Sequence, residues 1–301
     1  MALEYVPYTM DIKSFIKPDL YDPDKNNRFS KHSVRVFRNL VYAFYLEYGR
    51  EFPWRKTHDP YHILVSEVML QQTQVDRVVG KYQSFVEHFP RVEALDRAPL
   101  DEVLGLWKGL GYNRRCLSLK RSAGILVNEH GGMVPDTVAE LMKLPGVGPA
   151  TAAGICCFAF NKPALYLETN IRTLFIHLFF QSRDRVSDRE ILPLVEQTLD
   201  RNDPRRWYFA LMDYGAMLKR EVGNMSRRSR HYVKQPPFEG SDRQLRGRIL
   251  ELLLTHRSLT VMKIMDFLNE DHRRVARIMD SLQREGFIQG NDHGYTISEQ
   301  R

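Results

Sequence analysis

One carboxyl group is distinguished by its surroundings. Glu67 lies within residues 63–70, an apolar stretch whose hydrophobic spacing predicts a helix. Burial among apolar side chains disfavours the ionised carboxylate and raises its pKa. A carboxyl group with a raised pKa can protonate a leaving group and afterwards accept a proton from water. Glu67 is therefore a candidate general acid, and the alternative is an ordinary surface carboxylate.

A second chemical feature is the turn at residues 144–148, which contains Gly146 and Gly148. Two glycines two positions apart let a backbone turn tightly and approach another molecule. Pro149 suits the first turn of a following helix, whose unpaired N–H groups would suit a phosphate. Such a turn would grip a nucleic-acid backbone without reading bases. A plain connection between two helices is the alternative.

The charge of the chain favours a polyanionic partner, although an ordinary basic protein remains the alternative. The 301 residues carry a formal net charge of +7, which suits nucleic acid or an acidic membrane surface. Residues 219–234 contain one acid, Glu221, and prolines in 235–240 exclude helix there. We expect a basic linker at 219–240 that either contacts phosphate or is merely solvated. Its basic residues are Lys219, Arg220, Arg227, Arg228, Arg230 and Lys234.

Cysteine use and hydropathy narrow the protein class. Cys156 and Cys157 are adjacent in a helical stretch and point in different directions, so with Cys116 we expect buried thiols and no metal cage. A run of about 18 apolar residues, which a membrane helix needs, is absent. The first residues lack the pattern of a secretory signal. We therefore expect a cytoplasmic protein, nucleoid-associated in a prokaryote.

The elements that must position these residues are mainly α-helices. Apolar side chains recur at helical spacing through most of the chain up to residue 218, and period-two alternation is almost absent before residue 286. The predicted helices cover about 37–45, 63–69, 78–89, 100–107, 115–128, 137–143, 149–160, 170–180, 188–199 and 205–218.

The C-terminal 61 residues form a separate pattern. Three short amphipathic helices are predicted at 245–255, 259–268 and 273–286, followed by strands at 287–289 and 295–297. This pattern predicts a winged-helix-like domain. Residues 241–301 contain ten Lys or Arg and nine Asp or Glu residues. Because the domain is nearly neutral, it is as suited to protein contact as to DNA contact.

Several motifs occur in order around the turn at 144–148. Together they resemble the catalytic domain of the MutY family, the adenine DNA glycosylases that act at mismatches, which is itself similar to endonuclease III. The resemblance covers residues 33–218 and implies a two-lobed helix-hairpin-helix glycosylase fold. The motifs are PWR at 53–55, DPY at 59–61, SEVMLQQTQV at 66–75, WKGLGYNRR at 107–115 and MDYGAML at 212–218. We expect an N-terminal extension at 1–32, the glycosylase domain at 33–218, the basic linker at 219–240 and the winged-helix-like domain at 241–301.

The resemblance assigns catalytic roles. Glu67 matches the family glutamate that protonates a purine ring nitrogen and then handles water. The family places an aspartate two residues before an asparagine, whereas this chain has Glu168 before Asn170. Glu168 would stabilise the sugar cation, positioned by Asn170, provided that its extra methylene is accommodated. The alternative is a helix N-terminal acid that stabilises the helix dipole. Endonuclease III has its Schiff-base lysine where this chain has Ala150, which cannot form an imine.

The resemblance also implies positions that contact DNA once a base has left the duplex. Gln71, Gln72 and Tyr112 match positions that wedge into the double helix and contact the opposite strand, although a helix cap or a half-buried tyrosine would explain them too. Gly111 is a further expected DNA-binding position. The hairpin residues Gly146, Val147 and Gly148, with Thr151, match the phosphate grip. The base-pocket region matches Trp54, Arg55 and Ala150, for which core packing and a surface ion pair are alternatives.

Two features depart from the family. Relatives usually follow the last catalytic helix with four cysteines that hold an iron–sulfur cluster, whereas no cysteine follows Cys157 here. We therefore expect no cofactor and no metal, with the basic loop from Lys219 touching phosphate instead. The family's extra C-terminal domain, which resembles a nucleotide-pool hydrolase, is replaced by the winged-helix-like tail.

These observations predict a monofunctional DNA glycosylase that hydrolyses the bond to a mispaired base, adenine opposite guanine or 8-oxoguanine. One alternative excises thymine or uracil opposite guanine. Another is a non-catalytic DNA-damage-binding protein that keeps the fold and has lost the chemistry. We expect a monomer that binds double-stranded DNA and no membrane, with a C-terminal domain that can bind a protein.

Overall fold

The computed structural model describes residues 29–291 and 293–299. Residues 1–28 of the predicted N-terminal extension lie outside the described residues. Backbone contacts divide the chain into two compact units. Of the described residues, the first unit contains 29–51 and 156–234, and the second contains 52–155, 235–291 and 293–299. Among the described residues, no helix is both long and apolar enough to cross a membrane.

The described residues form fourteen α-helices and one antiparallel two-stranded sheet. The helices are α1 Lys31–Tyr48, α2 Pro60–Leu70, α3 Val75–His88, α4 Val92–Arg97, α5 Leu100–Trp107, α6 Arg114–His130, α7 Val138–Leu141, α8 Pro149–Phe160, α9 Thr169–Phe179, α10 Asp188–Thr198, α11 Pro204–Glu221, α12 Asp242–His256, α13 Val261–Leu268 and α14 His272–Glu285. The strands are β1 Ile288–Asn291 and β2 Gly294–Ile297, and 3-10 turns occupy Pro53–Arg55 and Met225–Arg228.

The first unit is built around α9 and α11, which pack against each other and against α1. An aromatic cluster fills the space between them: Phe37 contacts Phe175 and Trp207 edge to face at 5.9 Å between ring centroids. Phe175 and Trp207 are fully buried. Large aromatic side chains contribute much apolar area to such a core, so this cluster fixes the helices that carry the site residues of this unit.

Helix α2 is the central element of the second unit. It is apolar on nearly every side, and a helix of that kind is expected to be buried; seven of its eleven residues are buried. Its start is well defined because Asp59 accepts from the backbone N–H groups of Tyr61 at 2.8 Å and His62 at 3.1 Å. Pro60 occupies the first helical position, where it sacrifices no hydrogen bond.

The three C-terminal helices that the sequence predicts are present as α12 to α14, and the two predicted strands are present as β1 and β2. Ile288 pairs with Ile297 in the antiparallel register. Leu259 adds a third strand position, exchanging backbone hydrogen bonds with Tyr295 at 3.1 and 2.9 Å. A Cβ at Gly294 would lie 2.7 Å from the Leu259 carbonyl oxygen, so this close pairing needs glycine. The winged-helix classification itself stays a prediction.

Candidate functional site

Glu67 lies on α2, three residues before its end. Its side chain is half-buried, and its neighbours Ser66 and Val68 are buried. The helix therefore places the predicted acid at the edge of the core of the second unit. Its partial burial matches the environment expected of a candidate acid, and its catalytic role stays a prediction.

Arg115 holds the end of α2 in place. Its buried guanidinium donates to the carbonyl oxygens of Val68 at 3.0 Å and Met69 at 2.8 Å, to the Gln71 carbonyl, and to Thr73 Oγ1 at 2.9 Å. It also reaches the Gly111 carbonyl at 3.3 Å. Burial lowers the pKa of Arg115 to about 10, so it stays charged at neutral pH. Arg115 thus joins the helix that carries Glu67 to the turn before Tyr112. Sequence reasoning quoted this residue in a motif and gave it no role.

Gln71 joins two of the predicted DNA-contacting segments. Its side-chain Nε2 donates to the Gly146 carbonyl oxygen at 3.1 Å and to Thr151 Oγ1 at 3.0 Å. The amide nitrogen of Gln71 is therefore used to hold the hairpin against the end of α2. The structure brings Gln71, Gly146 and Thr151 together, and their contact with DNA stays a prediction.

The two hairpin glycines have different structural reasons to be glycine. Gly146 has a φ of +76°, and a Cβ there would lie 2.8 Å from the Ser118 Cβ. At Gly148, by contrast, an added Cβ would meet none of the described atoms within 4 Å. Val147 between them is buried, so its side chain anchors the hairpin. Gly146 serves internal packing, while Gly148 leaves open space in front of the first turn of α8.

Gln72 and Tyr112 both have left-handed backbones, with φ of +54° and +47°. Such conformations are strained for residues other than glycine. Their side chains are joined by a third residue: the Tyr112 hydroxyl donates to Gln235 Oε1 at 2.6 Å, and Gln235 Nε2 donates to Gln72 Oε1 at 2.8 Å. Gln235 lies in the segment that the sequence predicts as linker, and sequence reasoning did not place it at the site.

The three predicted base-pocket residues lie in different environments. Trp54 is 5% exposed, stacks on Phe52 at 5.1 Å and meets Tyr82 edge to face at 5.4 Å. The Arg55 guanidinium lies over the Phe52 ring at 5.1 Å. Ala150 is exposed on the first turn of α8. Trp54 thus has the geometry of core packing, the alternative raised for it, and the pocket role stays a prediction for all three.

Glu168 and Asn170 lie in the first unit, where Glu168 caps α9. Its Oε1 accepts from the backbone N–H groups of Asn170 at 2.7 Å and Ile171 at 2.8 Å, and its Oε2 accepts from Asn170 Nδ2 at 3.1 Å. Burial raises the pKa of Glu168, opposed by these two backbone N–H groups and by Arg172 and Lys219. This helix cap is the alternative role that the sequence analysis gives for Glu168. The bond from Asn170 also orients the carboxyl group, which the predicted catalytic role requires.

Gly215 explains the approach of α11 to this carboxyl group. A Cβ at this position would lie 2.1 Å from the Asn170 carbonyl oxygen and 3.1 Å from its Cβ. A side chain at position 215 would therefore push α11 away from the start of α9. The glycine of the MDYGAML motif is thus required by close helix packing next to Asn170.

The basic loop is partly committed to the fold. Arg228 donates to the carbonyl oxygens of Phe180 and Gln181 at 2.9 Å and pairs with Asp184 at 3.0 Å. Asn224 Oδ1 accepts from the Ser226 backbone N–H at 3.2 Å, which starts the 3-10 turn. The other five basic residues predicted for the linker are exposed: Lys219, Arg220, Arg227, Arg230 and Lys234. Arg228 is therefore structural, whereas these five remain open to a phosphate.

Known proteins resemble this chain over the region that contains Glu67, the hairpin at 144–148 and Glu168. Residues 65–197 match the family model described as HhH-GPD superfamily base excision DNA repair protein. The adenine DNA glycosylase of Mycolicibacterium smegmatis is 30% identical over 282 residues, which is 84% of this chain and 92% of that protein. That of Buchnera aphidicola subsp. Baizongia pistaciae is 35% identical over 188 residues, 61% of this chain and 53% of that protein.

Comparison with solved structures also finds a DNA glycosylase fold. The structure of a thermostable thymine-DNA glycosylase superposes with a TM-score of 0.56 at 28% identity, covering 65% of this chain and 94% of that one. The chain spans about half the length of the first curated relatives it matches. The matched region contains the hairpin, Glu67, Glu168 and Asn170, whereas Gln235 and the C-terminal helices lie outside the 65–197 match.

Proposed function

Because this chain belongs to the HhH-GPD superfamily of base excision DNA repair proteins, we propose that it hydrolyses the N-glycosidic bond of a mispaired base flipped out of double-stranded DNA. One observation carries the proposal. The side chain of Gln71, four residues after Glu67, is hydrogen-bonded to the hairpin carbonyl of Gly146. The candidate acid and the candidate phosphate grip are therefore held by one hydrogen-bonded element of the second unit.

The proposed chemistry uses a carboxylic acid and water. Glu67 donates a proton to a ring nitrogen of the departing base, and the bond between that nitrogen heterocycle and the sugar breaks with its electron pair leaving on the base. Water then attacks the sugar, and the Glu67 carboxylate accepts its proton. Glu168 stabilises the positive charge on the sugar, oriented by Asn170. Position 150 supplies no amine, so water is the nucleophile and the DNA strand stays intact.

We propose that no four-cysteine iron–sulfur cluster takes part. The 301 residues contain three cysteines, each of them buried, and residues 219–234 contain none. Asn224 accepts a hydrogen bond from Ser226 within this segment, and Arg228 donates outside it to the Phe180 carbonyl. The residues present therefore do not fit such a cluster.

The proposed substrate is adenine opposite guanine or 8-oxoguanine, with the names of the matched adenine glycosylases as support. Excision of thymine or uracil opposite guanine is the second candidate, favoured by the resemblance to the thymine-DNA glycosylase structure. Double-stranded DNA is the proposed partner, and a monomer the proposed state. The C-terminal domain is proposed as a place for protein contact.

A base-release assay tests the proposal. Purified full chain is incubated with duplexes that carry one adenine, thymine or uracil opposite each natural base or 8-oxoguanine, and free base and alkali-labile sites are measured. Release of adenine supports the first candidate, and release of pyrimidines alone supports the second. Glu67→Gln should abolish release, whereas Glu87→Gln, an exposed glutamate on α3, should not change it. Base release by Glu67→Gln at the parent rate would contradict the catalytic assignment.

A further inference from the structure

The C-terminal part of the second unit contributes side chains to the surface that carries Gln72 and Tyr112. Arg243, at the start of α12, donates through Nη1 to the Tyr112 hydroxyl at 3.0 Å and to Gln235 Oε1 at 3.2 Å. With the bonds from Gln235 to Gln72 and Tyr112, four side chains form one hydrogen-bonded group. We call Gln72, Tyr112, Gln235 and Arg243 the polar cluster.

The polar cluster is held in a defined geometry. The Arg243 guanidinium carbon lies 5.8 Å from the centroid of the Tyr112 ring and 6.0 Å from that of Phe238, and its Nη2 donates to the Pro236 carbonyl at 2.8 Å. Close by, Arg114 and Arg246 both pair with Glu285, which attaches α12 and α14 to α6. These contacts keep Gln235 and Arg243 beside two residues whose strained backbones mark them as candidates for function.

Each side-chain oxygen of the polar cluster already accepts a hydrogen bond, whereas several of its N–H groups donate to no described residue. Gln235 Oε1 accepts from both Tyr112 and Arg243, and Gln72 Oε1 accepts from Gln235. Among the described residues, the Nε2 of Gln72 and the Nε of Arg243 donate to no acceptor, and Gln235 Nε2 uses one of its two N–H groups. Such a surface suits a partner that offers acceptors.

After a base leaves the duplex, the base that it faced is left without its pair. Guanine presents two adjacent acceptors, O6 and N7, and arginine is the side chain that most often binds them. On the same edge adenine presents a donor beside its single acceptor, cytosine presents only a donor, and thymine presents one acceptor beside a methyl group. We propose that Gln235 and Arg243 are specificity-determining residues that read the base opposite the excised one and favour guanine. This inference rests on the proposed function and concerns residues outside the region 65–197 that the family model matches.

Binding to a product-like duplex tests this reading apart from the chemistry. Duplexes carry a stable abasic-site analogue opposite adenine, cytosine, guanine or thymine, and the dissociation constant of the full chain is measured by fluorescence anisotropy. The parent should bind the guanine duplex most tightly. Gln235→Ala and Arg243→Lys should each reduce that preference about tenfold. Because lysine keeps the charge, Arg243→Lys should bind a fully paired duplex nearly as tightly as the parent does.

Matched controls come from the same helices. Arg248→Lys on α12 and Gln283→Ala on α14 change exposed side chains outside the polar cluster and should keep the preference. Thermal melting of every variant shows whether the fold is retained. Gln235→Ala should perturb the fold least, because Gln235 is exposed.

Each remaining outcome has a fixed meaning. A parent without preference, or variants that keep it, would overturn the inference. Tighter binding of both variants to all duplexes, paired ones included, would also overturn it and would make Gln235 and Arg243 a cover over Gln72 and Tyr112. If the parent prefers guanine and both variants lose that preference, but the parent releases no base from any duplex, the proposed function fails while recognition of the unpaired guanine by Gln235 and Arg243 stands.

Discussion

The Arg115 guanidinium donates to the Met69 carbonyl at 2.8 Å, two residues beyond Glu67 on the same helix. Together with the bonds to Val68 and Gln71, this contact satisfies carbonyls at the C-terminal end of α2 that have no partner within the helix. Arg115 is therefore a positioning residue: it acts on the placement of Glu67 through the backbone.

Arg115→Lys should separate positioning from charge. Lysine keeps the positive charge but lacks the planar fork with which Arg115 donates to five carbonyl oxygens. We expect the base-release rate under single turnover to fall by roughly 10- to 100-fold, and the free energy of unfolding to fall by about 1–3 kcal/mol because buried carbonyls lose their donor. Arg77→Lys on α3, which is exposed, serves as control. An unchanged rate with lowered stability would make Arg115 purely structural.

The hairpin glycines give a second matched pair. Gly148→Ala should weaken binding to duplex DNA about tenfold or more, because its Cβ would occupy space reserved for an approaching phosphate, while the melting temperature stays near that of the parent. Gly146→Ala should instead destabilise the protein by about 1–3 kcal/mol, because of its φ of +76° and the contact with Ser118. Anisotropy titration and thermal melting measure the two effects. Unchanged affinity for Gly148→Ala would remove the phosphate role from this turn.

Much of the helical architecture is predictable because apolar residues recur at helical spacing between stretches that contain Pro, Gly and Asp. The predicted bounds 100–107 and 149–160 match α5 and α8. The six-residue helix α4 is absent from the sequence prediction, because Val92 and Leu95 alone do not establish a helical period. The 3-10 turn Met225–Arg228 escapes it because Asn224 and Arg228 create it through side-chain bonds rather than through an apolar stripe.

The site shows the same division. Motif resemblance locates Glu67, the hairpin and Asn170, since these depend on residue type at a fixed spacing. It does not locate Gln235 or Arg243, because they reach Tyr112 from 123 and 131 positions away in the sequence. A contact of that range leaves no periodic signal. Trp54 illustrates the reverse case, in which a motif position has a buried packing environment that residue type alone does not reveal.

Glu285 should make the attachment of the C-terminal helices dependent on pH. Its hydrogen bond from Arg114, with further bonds from Ser281 and Arg246, lowers its pKa from 4.5 to about 2. A lowered pKa in the folded state means that the stabilisation is present above about pH 4.5 and is lost as the pH falls towards 2. Limited proteolysis at residues 235–240 across this range measures the attachment. Glu285→Gln should be cleaved faster at neutral pH and should show less pH dependence than the parent; equal cleavage at all pH values would contradict this role.

Glu168 allows its two roles to be separated by a pair of variants. Glu168→Asp keeps the carboxylate and the helix cap, so we expect base release within about tenfold of the parent rate. Glu168→Gln keeps an acceptor for the cap but removes the charge, so release should fall by roughly 100-fold or more with little loss of melting temperature. Parent-like release by Glu168→Gln would leave Glu168 as a helix cap alone.

The pKa of Glu168 also predicts a stability effect with a definite sign. Burial raises this pKa above 4.5, so folding favours the protonated form. The associated stabilisation is complete below about pH 4.5 and is lost as the pH rises through the raised value. Denaturant unfolding should show that the free energy of unfolding of the parent declines as the pH rises above about 4.5. The decline should be smaller in Glu168→Gln, and equal declines in the two proteins would contradict this effect of Glu168.

The exposed cations of the basic loop should contact phosphate directly. Each phosphate contact that is lost reduces the salt dependence of DNA binding, so Arg227→Ala with Arg230→Ala should lower the slope of log K against log salt by about 2. Both side chains are exposed, so the melting temperature should stay near that of the parent. Arg228→Ala is the informative contrast, because Arg228 bonds to carbonyls after α9: it should lower the melting temperature. Anisotropy titrations from low to moderate salt measure the slopes, and a double variant with the parent slope would show that the loop is merely solvated.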